Sequence, residues 1–225
     1  MATTTTNTSG VIAAAAQEQA APAEPAADKM LKRYITKMQP AIKAALPAVI
    51  TPERFTRMLF SAISTTPQLA NCSVESFMGA MMSAAQLGVE PNTPLGQAYL
   101  LPYRNHGQLE VQFQLGYKGM IDLAYRSGEI SSIQAHEVHE GDEFVYEYGL
   151  EPKLSHRPAL KDRGPVTCYY AVFRTKSGGF GFEVMSREDI QAHAKQYSKA
   201  YSSNYSPWKT SFDEMAKKTV LKKVL

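Results

Sequence analysis

A period of two in the side chains of residues 108–115 places the strongest local constraint on what this chain can fold into. Apolar and polar residues alternate there, which predicts a β-strand with one buried face. Residues 97–103 predict the partner strand, and residues 104–107 predict the hairpin turn between the two. One face carries the apolar side chains Leu109, Val111, Phe113 and Leu115, and the other carries Gln108, Glu110, Gln112 and Gln114.

An amphipathic helix is predicted directly after this hairpin. Gly116 and Gly119 mark the turn from strand to helix, and Gly128 stands just past the end of the helix, where a glycine is common. The residues expected to be buried on this helix are Met120, Ile121, Leu123 and Ala124. Strand and helix are therefore expected to follow one another without a linker.

The polar face of the hairpin has a composition that suits a nucleic-acid strand. Its amide side chains hydrogen-bond without preferring one sign of charge, and the neighbouring residues are aromatic or basic. These neighbours are Tyr103, Arg104, Tyr117, Lys118, Tyr125 and Arg126. An ordinary half-buried hairpin with a solvated outer face shows the same alternation, so the hairpin alone leaves both interpretations open.

The whole sequence predicts an α+β fold with a small N-terminal helical lobe, a central antiparallel β-hairpin and sheet, and basic C-terminal helices. Residues 1–27 are rich in Ala, Thr and Pro, and we expect a disordered tail there. Residues 28–225 are expected to form one core. This core divides into a helical lobe at 28–88, a β-rich centre at 89–185 and a helical end at 186–225.

Local signals place most elements within this plan. Thr51 before a proline, Ser73 and Ser186 are predicted to cap helices. Residues 149–165, with three prolines, are predicted to form a long loop, and residues 208–225 are predicted to form a single helix. Further strands are predicted at 130–138, 144–148, 166–175 and 180–184.

Charge is strongly segregated along the chain, although the net charge is only +3. Residues 1–28 carry three acidic residues and no Lys or Arg, which leaves +6 on the remainder. Residues 129–151 carry seven Asp or Glu and no Lys or Arg. Such segregation can build a positive groove on a protein of modest net charge.

The motifs of several classes of protein are missing. There is no G-x-x-x-x-G-K-[ST] phosphate loop and no G-x-G-x-x-G turn, so we expect no nucleotide cofactor. No apolar run reaches membrane-spanning length, and no basic-then-apolar leader occurs. The expectation is a cytoplasmic protein without membrane contact.

One segment leaves an enzymatic alternative open. His136, His139, Asp142 and Glu143 could serve a metal-dependent nuclease. The two histidines are three residues apart, however, and on a strand they would point to opposite faces. We therefore expect an acidic surface segment and no metal site. A basic scaffold for protein interactions is the other alternative.

Longer motifs occur at both ends of the β-rich centre. They are P-L-G-x-A-Y-L-L-P-Y at 94–103, G-Y-K-G-M-I-D-L-A-x-R-S-G at 116–128 and W-K-T-x-F-D-E-M-A-K-K-T-V-L at 208–221. The acidic D-E-F-x-Y-x-x-G at 142–149 fits the same pattern. Together, and in this order, they resemble the RecT family of phage single-strand annealing proteins, and the likeness extends over about residues 29–225.

The resemblance implies a non-enzymatic protein with residues 28–225 as its DNA-binding and annealing core. Members of this family bind single-stranded DNA, oligomerise into rings or filaments, and anneal complementary strands through a duplex intermediate without ATP. A phage 5′→3′ exonuclease is the implied partner, contacted through a C-terminal part that is not seen in this sequence. The acidic residues at 129–151 could then meet the basic surface of a neighbouring subunit.

Candidate DNA-binding residues come from the hairpin, from the helix after it and from the basic C-terminal segments. They are Tyr103, Arg104, Asn105, Gln112, Gln114, Lys118, Arg126, Tyr197, Lys209, Lys217, Lys218 and Lys222. The basic members are expected to contact phosphates, and the amides are expected to meet the strand without reading its sequence.

Overall fold

The N-terminal part of the molecule is a lobe of short helices. The structure, a computed structural model, describes residues 26–225, so the predicted tail lies outside the described residues except for 26 and 27, which open the first helix. The helices are α1 (Ala26–Lys37), α2 (Gln39–Ala45), α3 (Pro52–Thr65), a 3-10 turn (Pro67–Asn71) and α4 (Val74–Leu87). The predicted caps are confirmed, since the Thr51 and Ser73 hydroxyls accept from the Arg54 and Ser76 backbone N–H groups.

The predicted hairpin is confirmed and packs on this lobe. Its strands are β1 (Ala98–Asn105) and β2 (Gln108–Leu115), joined by a two-residue turn in which both residues have positive φ. Leu100 and Val111 of the hairpin join the buried side chains of α1, α3 and α4 in one N-terminal core. The backbone N–H of Val111 also donates to the Ser76 hydroxyl on α4, which fixes the register between strand and helix.

The predicted helix after the hairpin is α5 (Tyr117–Arg126). The prediction of its buried face was wrong, because Met120, Ile121, Leu123 and Ala124 are only half-buried and the fully buried residue is Gly119. A Cβ atom at Gly119 would lie 2.2 Å from the Gln97 carbonyl oxygen, so the backbone of the helix lies close to the residue just before β1.

The second half of the chain forms two further antiparallel sheets. Strands β3 (Ile130–His139), β6 (Val166–Thr175) and β7 (Phe180–Ser186) form a three-stranded sheet in the order β3-β6-β7. Strands β4 (Glu143–Glu147) and β5 (Lys153–Arg157) form a separate pair, called the ribbon below. The prediction of one long loop over residues 149–165 was therefore wrong in part, since β5 lies within it.

Three helices close the C-terminal part. They are α6 (Arg187–Tyr197), α7 (Pro207–Thr210) and α8 (Phe212–Val224). Ser186 caps α6 as predicted, but the single helix predicted over residues 208–225 is interrupted at Ser211, whose φ of −148° and ψ of 55° are not helical. The helices bury Trp208, Ala216 and Val220 against Tyr169 and its neighbours, which makes a second, C-terminal core.

The helices of residues 26–225 are all too short or too polar to cross a membrane.

The two cores meet along α5, which contacts both β3 and α8. The Tyr125 hydroxyl of α5 accepts from the Ile133 backbone N–H at 3.1 Å. Gln114 of the hairpin lines one cavity together with residues of α6 and α8, so the outer face of the hairpin and these helices form the two walls of a groove.

Candidate nucleic-acid interface

The first part of this groove lies on the outer face of the hairpin. It is a cavity of about 470 Å³, lined by Tyr103, Asn105, Glu110, Val111, Gln112 and Lys199. Lys199 comes from the C-terminal part of the chain, and its Nζ lies 5.4 Å from the centre of the Tyr103 ring. This distance suits a cation–π contact, which links the hairpin to the segment after α6.

The second part continues towards the helices of the C-terminal core. It is another cavity of about 470 Å³. Its lining includes Gln114, His193, Tyr197, Ser198, Trp208, Met215, Lys218, Lys222 and Lys223. Gln112 and Gln114 share one strand face, and Ser198 and Lys199 are consecutive, so the two cavities adjoin. Together they are called the hairpin groove below.

Lys218 lines the hairpin groove and lies against the start of α5. Its Nζ lies 5.9 Å from the centre of the Tyr117 ring at the start of α5. Burial lowers the pKa of Lys218, and the neighbouring Lys222 lowers it further. An ammonium group whose pKa is lowered in this way lacks water and negative partners. A phosphate would provide hydrogen-bond acceptors and a negative charge.

Lys217 is adjacent in sequence but has a different role. Its Nζ lies 3.1 Å from Glu137 Oε2 on β3 and 2.8 Å from Glu214 Oε1 on α8. Consecutive residues of a helix point about 100° apart, so a contact of Lys217 with β3 turns Lys218 towards the groove. Lys217 therefore orients the helix that carries Lys218.

A polar network at the start of α8 adds to this orientation. The buried Tyr169 hydroxyl donates to the Asp213 carboxylate and accepts from Arg187 Nη1 at 2.9 Å. Burial and the Asp213 carboxylate raise the pKa of Tyr169, so the hydroxyl keeps its proton and remains a donor. The Arg187 guanidinium also lies 4.5 Å from the centre of the Phe212 ring. These contacts fix the first turn of α8 against the sheet.

His193 is a groove residue that the sequence did not indicate. Its ring lies 4.7 Å from the Tyr197 ring, one helical turn away on α6. Burial and the charges of Lys223 and Lys222 lower its pKa, so the neutral imidazole is favoured. Its Nδ1 is buried and has no hydrogen-bond partner among the described residues. The i, i+4 spacing of His193 and Tyr197 was the available signal.

The chemistry of the groove changes along its length. Cations are concentrated beside α8, whereas the hairpin end presents amides, a tyrosine ring and the Glu110 carboxylate, which accepts from Asn105 Nδ2 at 3.2 Å. A carboxylate repels phosphates but accepts hydrogen bonds from base amino groups. The arrangement suits a strand whose phosphates follow the lysines and whose bases face the hairpin.

The structure brings most of the predicted site residues together in this groove. They are Tyr103, Asn105, Gln112, Gln114, Tyr197, Lys218 and Lys222. Lys199, Trp208 and Lys223 also line it and were missed, because a loop lysine, an apolar ring and a lysine near the chain end have no distinctive local pattern.

The other predicted site residues lie outside the groove lining, and most of them already contact other groups of this chain. Arg104 donates to the Gly107 carbonyl at the hairpin turn, and Lys209 donates to the Ser202 carbonyl and the Asn204 amide oxygen. Arg126 donates to the Leu87 carbonyl at the end of α4, and its Nε lies 2.9 Å from Asp122 Oδ2. Lys118 is exposed on the first turn of α5. Their assignment to DNA stays a prediction.

The acidic residues around Asp142 have a structural explanation. The buried Asp142 carboxylate accepts from Arg163 Nε and Nη2 at 2.9 and 2.6 Å, and it lies 3.1 Å from His156 Nε2. It also accepts from the backbone N–H groups of His139 and Ala159. The Arg163 guanidinium holds the pKa of Asp142 well below its usual range.

The histidines of the nuclease alternative do not converge on this carboxylate. His136 Nε2 contacts the Gln134 side chain, and His139 Nδ1 lies 2.7 Å from the Gly164 carbonyl oxygen. Within residues 26–225, no three His, Cys, Asp or Glu side chains come together as a metal site would require. Of the seven acidic residues at 129–151, Glu137 is instead paired with Lys217 and Asp142 with Arg163, both cations of the same chain.

Comparisons with known proteins identify the family. The model of the RecT family matches residues 53–225. Protein RecT of Escherichia coli (strain K12) is 47% identical over 191 residues, which cover 83% of this chain and 70% of that protein. The uncharacterised protein YqaK of Bacillus subtilis (strain 168) is 32% identical over 172 residues, or 76% of this chain and 57% of YqaK. The chain belongs to the RecT family.

Proposed function

We propose that this chain is a recombination protein that binds single-stranded DNA in the hairpin groove and anneals it to a complementary strand. The observation that carries this proposal is the composition of the groove. Amides and rings of the hairpin face lysines of α8 across it, and Lys218 has a pKa lowered by burial. Stacking surfaces combined with cations are typical of binding to single strands.

The proposed binding does not depend on base sequence. Lys199, Lys218 and Lys222 neutralise phosphates, which are the same at every nucleotide. Tyr103 and Tyr197 offer ring faces on which any base can stack. Gln112 and Gln114 can donate to or accept from the sugar-phosphate or the base of any nucleotide without reading the sequence. A protein that pairs arbitrary complementary strands needs this tolerance.

The proposed annealing uses no ATP. Pairing of complementary bases is favourable by itself, so the protein only has to hold strands in register with exposed base edges. The sequence correspondingly has no phosphate-loop motif. The protein is thus proposed to act without catalysing a covalent step.

Annealing by this route requires several subunits. One groove holds only a few nucleotides, and a duplex of that length is unstable unless neighbouring grooves continue it. We therefore include assembly on DNA into a ring or filament in the proposal. The exonuclease partner implied by the resemblance stays a prediction, because no contact within residues 26–225 bears on it.

The adjacent lysines of α8 provide a matched test of the groove. Lys218→Ala should weaken binding of oligothymidylate and reduce the slope of log K against log salt by about 0.7, the value for one phosphate contact on a single strand. Lys217→Ala should reduce this slope less than Lys218→Ala does, because its ammonium group pairs with Glu137 and Glu214 and acts on DNA only by orienting α8. Equal effects of the two variants, both folded by circular dichroism, would contradict the assignment.

The annealing step is tested with two dye-labelled complementary strands mixed in EDTA without nucleotide. Energy transfer between the dyes should rise faster with protein than without it, and only at protein concentrations where assembly on DNA is seen by light scattering. A requirement for ATP, cleavage of either strand, or full activity of a monomer on DNA would refute the proposed function.

A further inference from the structure

A second open groove lies on the face of the three-stranded sheet that turns away from α8. Tyr169 and Ala171 of β6 enter the C-terminal core. Since side chains alternate along a strand, Val172 and Arg174 lie on the other face. The hairpin groove is on the far side of α8, so the two grooves are separated by the sheet and the helix.

The ribbon covers only part of this second face. Phe144 of the ribbon stacks on Tyr170, with ring centres 5.5 Å apart and planes 22° apart. Tyr148 stacks in the same manner on Phe182 at 5.1 Å, and its hydroxyl accepts from the Val184 backbone N–H. The rest of the face remains open beside β5.

The open part is a cavity of about 650 Å³, called the sheet groove below. It is lined by Gln134, Lys153, Leu154, Ser155, Tyr170, Val172, Arg174, Gly178 and Phe180. Two of these side chains are cations and none is a carboxylate. The nearest acid to Lys153 is Glu147, whose Oε2 is 3.8 Å away, and both side chains are mostly exposed. A surface of this charge favours an anionic ligand.

A row of parallel rings leads into the sheet groove. Tyr148 stacks on Phe182, and the Phe180 ring lies parallel to Phe182, 9° between planes and 6.5 Å between centres. Phe180 is 45% exposed at the end of this row. A flat base placed on Phe180 would extend the row, with its phosphates within reach of Arg174 and Lys153.

We propose that the sheet groove binds a second single strand of DNA, with a base stacked on Phe180 and phosphates at Arg174 and Lys153. The inference rests on the proposed function, because annealing needs two strands on one assembly. A protein partner fits less well, since the lining combines two cations and an amide with a ring that is exposed at the end of a stack. One strand then occupies the hairpin groove while another is held on the opposite side of the same subunit.

The test maps where a short oligothymidylate carrying 5-iododeoxyuridine cross-links to the full chain under ultraviolet light. Cross-links are expected on the peptide with Phe180 and, separately, on the peptides with Tyr197 and Trp208. The double variant Phe180→Leu with Arg174→Gln should lose the first cross-link and weaken binding at the sheet groove about tenfold, as loss of one stacked base predicts. Trp208 lines the hairpin groove, and the quenching of its fluorescence by added DNA should remain unchanged in this variant.

Matched variants separate the possible failures. Arg57→Gln, an exposed residue of α3, controls for loss of one positive charge. Cross-links confined to the hairpin groove overturn the second site but leave the proposed function intact. If the double variant without DNA forms assemblies of a different mass and its cross-linking is unchanged, the sheet groove is a contact between subunits. This result also overturns the second DNA site. Cross-links at neither groove refute the proposed function itself.

Discussion

The two cores of this protein are built by different means. The N-terminal core consists of aliphatic, methionine and phenylalanine side chains from the helices and from the inner face of the hairpin. The C-terminal core is smaller and is supplemented by polar links, such as Tyr169 with Asp213 and Lys217 with Glu137. Burial of apolar surface is insensitive to moderate salt, whereas partly exposed ion pairs weaken with it.

The two walls of the hairpin groove are therefore held in different ways. The hairpin wall is fixed by apolar packing, and it presents amides and rings. The α8 wall is oriented partly by ion pairs, and it presents lysines. Salt is therefore expected to act twice on DNA binding, by screening the phosphate contacts and by loosening the helix that supplies them.

A large-to-small substitution in the N-terminal core tests whether the two cores unfold as separate units. Phe77 on α4 is fully buried in the N-terminal core, and Phe77→Ala should cost about 3–5 kcal/mol there. Trp208, the only tryptophan in the chain, reports on the C-terminal core. In urea, the unfolding midpoint followed by helical circular dichroism should fall more than the midpoint followed by Trp208 fluorescence. Equal shifts would show one cooperative unit, and Phe77→Leu controls for loss of the ring alone.

The next effect concerns α5, the helix between the cores. Gly119→Ala gains about 1 kcal/mol of helix propensity, but its Cβ would meet the Gln97 carbonyl oxygen at 2.2 Å. Because the contact is with backbone, we expect a net loss of about 1–2 kcal/mol, in the range of other overpacked sites. Gly79→Ala on α4 is the matched control, since its Cβ would meet nothing within 4 Å and should stabilise the protein. A stabilising Gly119→Ala would mean that α5 can move away from β1.

The parts of the fold that sequence predicts well are those with local causes. The hairpin follows from strict alternation along β2, and the helix starts follow from Thr51, Ser73 and Ser186, whose hydroxyls bond the first turn of their own helices. Strand β5 had no such signal, because its five residues gain their conformation from pairing with β4. The break at Ser211 likewise had no local signal, and it lies between Trp208 and Phe212, which both pack in the C-terminal core.

The groove was only partly predictable for the same reason. Alternation identified Gln112 and Gln114 as one outward face, and the family motifs drew attention to the lysines of α8. The helical period placed Lys217 and Lys218 together on a basic side. Glu137, eighty residues away in sequence, is what separates their roles, and only the tertiary structure reveals it.

A smaller effect is expected from removing one of the polar links of the C-terminal core. Tyr169→Phe removes the hydroxyl that links Asp213 to Arg187, and should cost about 1 kcal/mol, the usual net value of a hydrogen bond. The loss should appear in the unfolding transition followed by Trp208 fluorescence. It should diminish in high salt, because salt screens the Arg187–Asp213 ion pair in the parent as well. Tyr205→Phe, at a residue 93% exposed, should change nothing. An undiminished loss in high salt would show that packing, rather than the polar network, holds α8.

The smallest effect is a pH dependence of DNA binding that originates at Lys218. Burial, and then Lys222, lower the pKa of Lys218 from 10.5 in the free protein, and a bound phosphate should raise it again. Binding therefore takes up a proton at pH values between the two pKa values, and the affinity should fall as the pH rises through the lowered pKa. His193 does not contribute in this range, because its pKa is lowered from 6.5 and the ring is already neutral.

The change in affinity with pH should stay below about tenfold, the scale of one phosphate contact. Binding isotherms between neutral pH and pH 10, at constant salt, should show the decline in the parent but not in Lys218→Arg, whose guanidinium keeps its proton. The same decline in both proteins would assign the effect to another group and leave Lys218 without a bound phosphate.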